Sequence, residues 1–272
     1  MKRKKSNLFR KVMIGWLCLT MFILLFPIAA IIFMSFNASK FGALPFEFTT
    51  TWYVQLFESA DLLAATWYSL WFSTLVSVVA AVLGVLASFA LRKLSRKWNK
   101  TFPTLMNIPV IIPWLVSAVS LLLLFNLIGM GKSFVSLFLG NLVAVMPHSF
   151  LITYARVMSM DKYPEEAART LGASGFKVFV NVAFPMIFPA VLSGMLMSFI
   201  LCFNCFVIQY YLAPFGTYTL PMLIYTMIRA GYSPSINAIA AILTLFIVLF
   251  IIVMNKVGFD AGQLFGKANK ED

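Results

Sequence analysis

An all-α polytopic membrane protein with six transmembrane helices is the fold predicted for this chain, on three observations. Of its 272 residues, 61% are hydrophobic and only 11% are charged, and the mean hydropathy is +0.92. A soluble domain of that length has no interior large enough for so much apolar surface, whereas lipid is as apolar as the side chains themselves. Second, six uncharged stretches approach or exceed the roughly 20 residues that a helix needs to cross a bilayer with its backbone hydrogen bonds closed internally. Third, the basic residues fall in short clusters between those stretches, on alternate loops.

The first stretch, Val12–Phe36, follows Met1-Lys-Arg-Lys-Lys5 and superficially resembles a secretory signal. Its uncharged length of about 25 residues far exceeds a signal's apolar core, so it is expected to remain as the first span. The others are Ala64–Leu91, Ile108–Ile128, Phe134–Tyr154, Ala190–Leu212 and Ile236–Met254. Only Gly129-Met130-Gly131-Lys132 parts the third from the fourth, which predicts a tight hairpin. One transmembrane domain over residues 1–272 accounts for the whole chain.

Charge then orients the bundle. Lys2 to Lys5, Arg10, Lys11, Arg92, Lys93, Arg96, Lys97, Lys100, Arg156, Lys162, Arg169, Lys177, Lys256, Lys267 and Lys270 share one side. The other side keeps Lys40, Lys132 and Arg229. Positive residues stay in the cytoplasm, so both termini are expected there. That patterning also explains the net charge of +12 as topology and argues against a nucleic-acid partner. All nine acidic residues lie outside the spans, and His148 is the one ionisable acid or base group within them. Ion- and proton-coupled pumps place charges inside the membrane. Energy for any transport is therefore expected from another chain.

The loop of residues 155–185, between the fourth and fifth spans, carries the densest local signals. Pro164 suits a first helical turn, and Glu165 and Glu166 complement the positive end of the helix dipole. Ala167, Ala168 and Leu171 form a small apolar face, and Gly172 suits the stop. A capped helix of about two turns results, with a face suited to a partner's groove.

Glu166-Ala167-Ala168, then Gly172, then Val182-x-Phe184-Pro185 resembles the EAA loop of ABC importer permeases, with Val and Phe in place of the family's Ile and Leu. Other stretches resemble the second permease of spermidine/putrescine importers: Ser35-Phe-Asn37, Phe41-Gly42, Thr50-Thr-Trp-Tyr53, Leu171-Gly-Ala-Ser174, Leu220-Pro221 and Ser233-Pro234-Ser-Ile-Asn237. The resemblance implies the type I importer permease fold, in the inner membrane of a bacterium. It implies a non-enzymatic subunit working with a sister permease, two copies of an ATP-binding cassette ATPase and an extracytoplasmic substrate-binding protein. By the same resemblance Glu165, Glu166, Ala167, Ala168, Gly172 and Pro185 couple the permease to the ATPase.

The fifth span holds Asn204, Gln209, Tyr210 and Tyr211, which are expected along the translocation path. Where the polyamine family usually carries an Asp pair, this chain has Asn204 and Cys205. Aromatic faces at Phe206, Tyr210 and Tyr211 offer another way to hold a cation. For Asn204 and Gln209, a hydrogen bond between helices is an equal alternative. Cys202 and Cys205 have Cys-x-x-Cys spacing, but too few further ligands exist for a closed metal site, so neither metal nor cofactor is expected. Trp52 and Tyr53 are read as interfacial anchors, and Met222–Ile228 as a short external helix. No phosphate-binding loop is present, which leaves ATP hydrolysis to another subunit. Alternatives are a permease for another amine-bearing, organophosphonate or opine-like solute, or a membrane-embedded enzyme.

Overall fold

Every peptide group placed in lipid must find its partner within the chain, and this sequence meets that demand with helices. The computed structural model describes residues 2–39, 45–231 and 235–256. Lys40, Phe41-Gly42, Ser233-Pro234 and the charged tail from Asp260 lie outside the described residues. Helix α1 is Lys2–Met34, α2 Thr51–Glu58 and α3 Ala60–Lys93. Then come α4 (Arg96–Met106), α5 (Ile108–Ile111), α6 (Trp114–Leu127) and α7 (Phe134–Ser159). They are followed by α8 (Tyr163–Thr170), α9 (Gly175–Val178), a π-helical turn (Phe179–Ala183) and α10 (Phe184–Phe203). The chain continues through α11 (Phe206–Leu212), α12 (Leu220–Ala230) and α13 (Ser235–Lys256).

Among the described residues, four helices are long and apolar enough to cross a membrane: Phe9–Met34, Ala60–Lys93, Phe134–Ser159 and Gly175–Phe203. The expected straight third span, 108–128, departs from the sequence reading. It is one part of a bent pair, Lys97–Ile111 and Trp114–Leu127, that turns through 98° and makes a fifth crossing if counted as one. Its bend has a local cause. Pro113 forces the residue before it out of the helical region, and Ile112 is extended at φ −74°, ψ 130°. The expected fifth span, 190–212, is also divided. Its helix ends at Phe203 and resumes at Phe206. The last apolar stretch forms the 22-residue helix α13.

The chain forms two compact units. One comprises the described residues of Met1–Leu63 and Ile224–Phe259. In it the Ser35 hydroxyl bonds the Tyr53 hydroxyl at 2.6 Å, and the Trp52 indole donates to the Asn37 carbonyl at 2.8 Å. Buried Asn37 in turn accepts from the backbone N–H of Ser39. Two segments that resemble a family loop, Ser35–Asn37 and Thr50–Tyr53, are thus tied together. Trp52 and Tyr53 spend their polar atoms inside this loop.

The other unit, Ala64–Leu223, carries the core. On α10 the buried residues are Ile187, Val191, Gly194, Ser198 and Cys202, one stripe at helical spacing. Phe72, Val76 and Ala80 of α3 and Leu137 and Val145 of α7 share one core cluster with Cys202. Small residues let the backbones close up, as helices without a hydrophobic driving force between them require. A Cβ on Gly194 would lie 3.0 Å from the Ser149 carbonyl oxygen, and one on Gly84 would lie 3.2 Å from the Phe150 backbone. Helix α7 is therefore clamped at adjacent residues by glycines of α10 and α3. The Ser198 hydroxyl adds a bond to the Val145 carbonyl at 3.2 Å, of a kind worth on average about 0.6 kcal/mol in membranes.

The hairpin turn follows the sequence reading. Gly129 and Gly131 take positive φ of 77° and 54°, and Ser133 caps α7 by accepting from the Ser136 N–H. Beyond α11, helix α12 includes and extends the expected short helix 222–228.

The glycine clamp generates a test. Gly194→Val and Gly84→Val each force α7 away from its neighbour, an overpacking that costs roughly 1–3 kcal/mol. Both are expected to lower the melting temperature of the detergent-solubilised protein, read by fluorescence-detected size exclusion, more than Gly15→Val, whose Cβ meets nothing within 4 Å. Equal melting temperatures for all three would remove the clamp.

Candidate functional site

Helix α8 begins as its residues dictate. The Asp161 carboxylate accepts from the Tyr163 N–H at 3.1 Å, Pro164 occupies the first turn, and Glu165 and Glu166 follow it. It ends on Gly172, whose φ of 84° favours glycine. The Gly172 N–H bonds the Arg169 carbonyl, and the Ala173 N–H reaches back to Ala168 at 3.1 Å, closing the carbonyl end. Nothing lies within 4 Å of a Cβ built at Gly172, so its constraint is conformational and not steric.

No side chain of α8 is buried, but its faces differ. Glu165 and Ala168, three residues apart, are partly covered. Glu166, Ala167 and Arg169 are exposed. Three bulky apolar side chains project around them: Tyr163, Leu171 and Phe176 are 76%, 88% and 77% exposed. Aromatic and aliphatic groups standing free beside charges at one end of a bundle suit a protein contact. Along its inner side, α8 borders a groove of about 750 Å³ whose walls include Leu86, Phe89, Lys93, Lys162 and Phe179.

The two adjacent glutamates therefore have different surroundings. Glu166 is exposed at the edge of this groove, whereas Glu165 accepts from Arg92 of α3 at 2.5 Å, with side chains only 16% and 11% exposed. Sequence reasoning passed over Arg92 as a topology charge. The two residues are 73 positions apart, and no local pattern links them.

Pro185 sits in the first turn of α10, directly after the π turn. It has no N–H to give, and the Phe184 N–H reaches five residues back to the Phe179 carbonyl. A wide turn therefore absorbs the proline, and a single apolar helix runs through from Gly175 to Phe203. Pro185 contributes to the rod that α8 leads into.

The four residues expected along the path separate. Cys205, at φ −79° and ψ 69°, is the centre of an inverse γ-turn, with the Phe206 N–H bonded to the Asn204 carbonyl at 2.9 Å. Asn204 is exposed at this break and donates to the Ile200 carbonyl. Gln209 is buried, and its amide donates across the break to the Cys202 carbonyl at 2.7 Å. That carbonyl also accepts from the Cys205 N–H at 3.1 Å, so the amide adds a further tie across the break. Tyr210 is exposed and stands edge-on to Tyr211 at 5.6 Å, with Phe206 5.4 Å from Tyr210. Asn204 and Tyr210 are thus exposed and Tyr211 is half-buried, while Gln209 is engaged internally.

Cys202 donates weakly to the Asn141 Oδ1 at 3.7 Å, and both cysteines are buried. Among the described residues no group of three or more His, Cys, Asp or Glu is placed to hold a metal ion. His148 lines a cavity of about 60 Å³ with Trp114, Ser117 and Ile208, beside the bend at Ile112.

Comparison with known proteins agrees with this geometry. A family model described as the inner membrane component of binding-protein-dependent transport systems matches residues 80–257. The chain is 31% identical to the putrescine transport system permease protein PotI of Escherichia coli K12 over 252 residues, which cover 90% of this chain and 87% of that protein. It is 32% identical to the spermidine/putrescine transport system permease protein PotC of the same organism, over 86% of this chain and 89% of that one. Its fold resembles a chain of a bacterial ABC transporter that imports the acidic polysaccharide alginate, with a TM-score of 0.69, 18% identity and coverage of 94% and 97%. A methionine ABC transporter chain matches at a TM-score of 0.55 and 15% identity, over 77% of this chain and 100% of that one. The chain belongs to the family of binding-protein-dependent transport system inner membrane components.

Proposed function

We propose that this chain is the second permease subunit of an ATP-driven importer that moves putrescine- and spermidine-like polyamines into the cell. The observation that carries the reading is likeness to two polyamine permeases at 31% and 32% identity over nearly the whole chain. Helix α8 is its coupling element. Glu166, Ala167, Gly172 and the projecting Tyr163 and Leu171 dock in a cleft of the ATPase, which is present in two copies. As the ATPases close on ATP and reopen, α8 is displaced and the pore alternates its access. Both termini, α4 and α8 lie on the cytoplasmic side, where the basic residues cluster. A binding protein delivers substrate from the opposite side.

A sister permease is supported by α1. No side chain from Phe9 to Met34 is buried within its own unit, and so apolar a helix has room for lipid and for a second permease. Recognition of the cation falls to Asn204, Tyr210 and Tyr211 together with groups of the other subunits. Neither Asn204 nor Cys205 supplies a carboxylate, and aromatic faces attract ammonium groups through their quadrupoles. The same absence favours a second reading, a permease for another small amine-bearing, organophosphonate or opine-like solute.

Uptake of labelled putrescine and spermidine, in cells expressing the chain with its ATPase, sister permease and binding protein, tests this reading. Glu166→Lys and Gly172→Asp are each expected to abolish uptake while the protein reaches the membrane in normal amount. Normal uptake with both substitutions would overturn the assignment of α8. ATP hydrolysis without polyamine uptake would move the substrate to the second reading.

Asn204→Asp tests the path separately. A carboxylate at the break is expected to lower the KM for spermidine about threefold or more at low ionic strength, through attraction to a multiply charged cation. An unchanged KM would place Asn204 outside the path.

A further inference from the structure

The contact between Arg92 and Glu165 is turned away from the exposed face of α8, so docking leaves it without an assigned role. Two connections lead from α8 into the membrane. One is covalent: the short turn after Leu171 enters the continuous helix Gly175–Phe203, 29 residues long. The other is the ion pair, in which Arg92 Nη1 donates to Glu165 Oε1 at 2.5 Å. Arg92 lies in the last turn of α3, a helix of 34 residues. Because α8 buries no side chain, apolar packing does little to hold it against α3, and a largely covered charge-assisted bond is the stronger tie.

Further along, α3 is locked to α7 by the Gly84–Phe150 approach, and α7 to α10 by the Gly194–Ser149 approach. A force on α8 therefore has two entries to one packed group of helices. The end of α3 also packs on that rod, with Phe89 edge-on to Phe179 at 5.3 Å, so the ion pair is what ties α8 itself to a junction already closed by apolar contact.

We propose that Arg92 is a positioning residue for transport: its ion pair with Glu165 makes α8 and the end of α3 move as one body, so that displacement of α8 reaches α3 and α10 together. The inference rests on the reading of α8 as the coupling element. Glu165 accordingly acts toward its own subunit and Glu166 toward the ATPase.

The test uses the complete complex in proteoliposomes, with labelled putrescine as the solute and moles transported per ATP hydrolysed as the readout. Arg92→Glu and Glu165→Arg are each expected to co-purify with the ATPase and to hydrolyse ATP, yet to lower that ratio about fivefold or more. The double exchange, Arg92→Glu with Glu165→Arg, should restore the ratio to within about twofold of the wild type, since the pair is remade with its polarity reversed. A pair that serves only to stabilise the fold would lower the amount of complex and leave the ratio unchanged. Wild-type ratios in the single variants, or a double variant no better than the worse single, would overturn the proposal. Should the reversed singles fail to accumulate, the isosteric Glu165→Gln decides on the same ratio.

A second measurement does not depend on the solute. In the assembled complex with its native cysteines replaced, spin labels at Leu94→Cys and Thr170→Cys report the distance between α3's end and α8. One narrow distance, shared by the ATP-free and ATP-bound states, is expected, and Glu165→Gln should broaden it. A distance that shifts with ATP while the pair is intact, or that ignores Glu165→Gln, overturns the proposal. Failure of wild-type putrescine uptake counts only against the substrate.

Discussion

Lipid has no hydrogen bonds to offer, and that constraint decides where this chain can bend. Where the backbone leaves the helix, something in the chain covers the exposed groups. At Asn204–Cys205 an inverse γ-turn pairs one carbonyl and the Gln209 amide reaches another. At Pro185 the missing N–H is absorbed by a π turn whose closing bond spans five residues. A mid-membrane Gln is costly when unpaired, and its amide N–H finds its partner here in a carbonyl beside the break. A residue expected to meet solute is thus engaged with the backbone of its own span.

Apolar side chains have little preference between lipid and protein, which explains what sequence could and could not reveal of the fold. Length and charge located the apolar stretches, because both are properties of a whole segment. The inward faces were hidden. On α3 the buried side includes Ser69, Ser73, Ser77 and Ser88, while Leu75, Val82 and Leu86 are exposed. Phe72, Val76, Ala80 and Val85 are buried beside those serines, so apolar residues occur on both sides and do not by themselves mark the inward one. Pro113 carried a signal that the reading of one span over 108–128 passed over, since the residue before proline avoids the helix. No comparable signal precedes the break at Cys205, where neither Pro nor Gly occurs and long-range packing must decide.

At the candidate site the division is similar. Helix α8 was legible from Pro164, its paired acids and Gly172, all local features whose effects act within one or two turns. Which acid faces outward was not, since successive helical residues differ by about 100° and the face toward α3 depends on a residue 73 positions away. The loop near Trp52 shows the opposite case. Its aromatic residues suggested an interfacial anchor, and the structure adds hydrogen bonds to Ser35 and Asn37 that composition alone does not encode.

These local facts bear on how force can cross the molecule. An exposed eight-residue helix has little stiffness of its own and transmits motion only through what it is joined to. Its covalent exit reaches α10 at once, because the helix from Gly175 to Phe203 is uninterrupted despite Pro185 and Pro189. That rod ends where Asn204 begins the break, so movement of α10 along its axis is delivered directly to the γ-turn and to the Gln209–Cys202 bond across it. The segment after the break, carrying Tyr210 and Tyr211, is a separate short helix whose Ile208 and Leu212 are buried in the core. A continuous fifth span would carry these aromatic rings rigidly with the coupling helix. The interrupted one places a γ-turn between that rod and the rings, so on the proposed reading a push at one end reaches them through a joint and not through a rigid span.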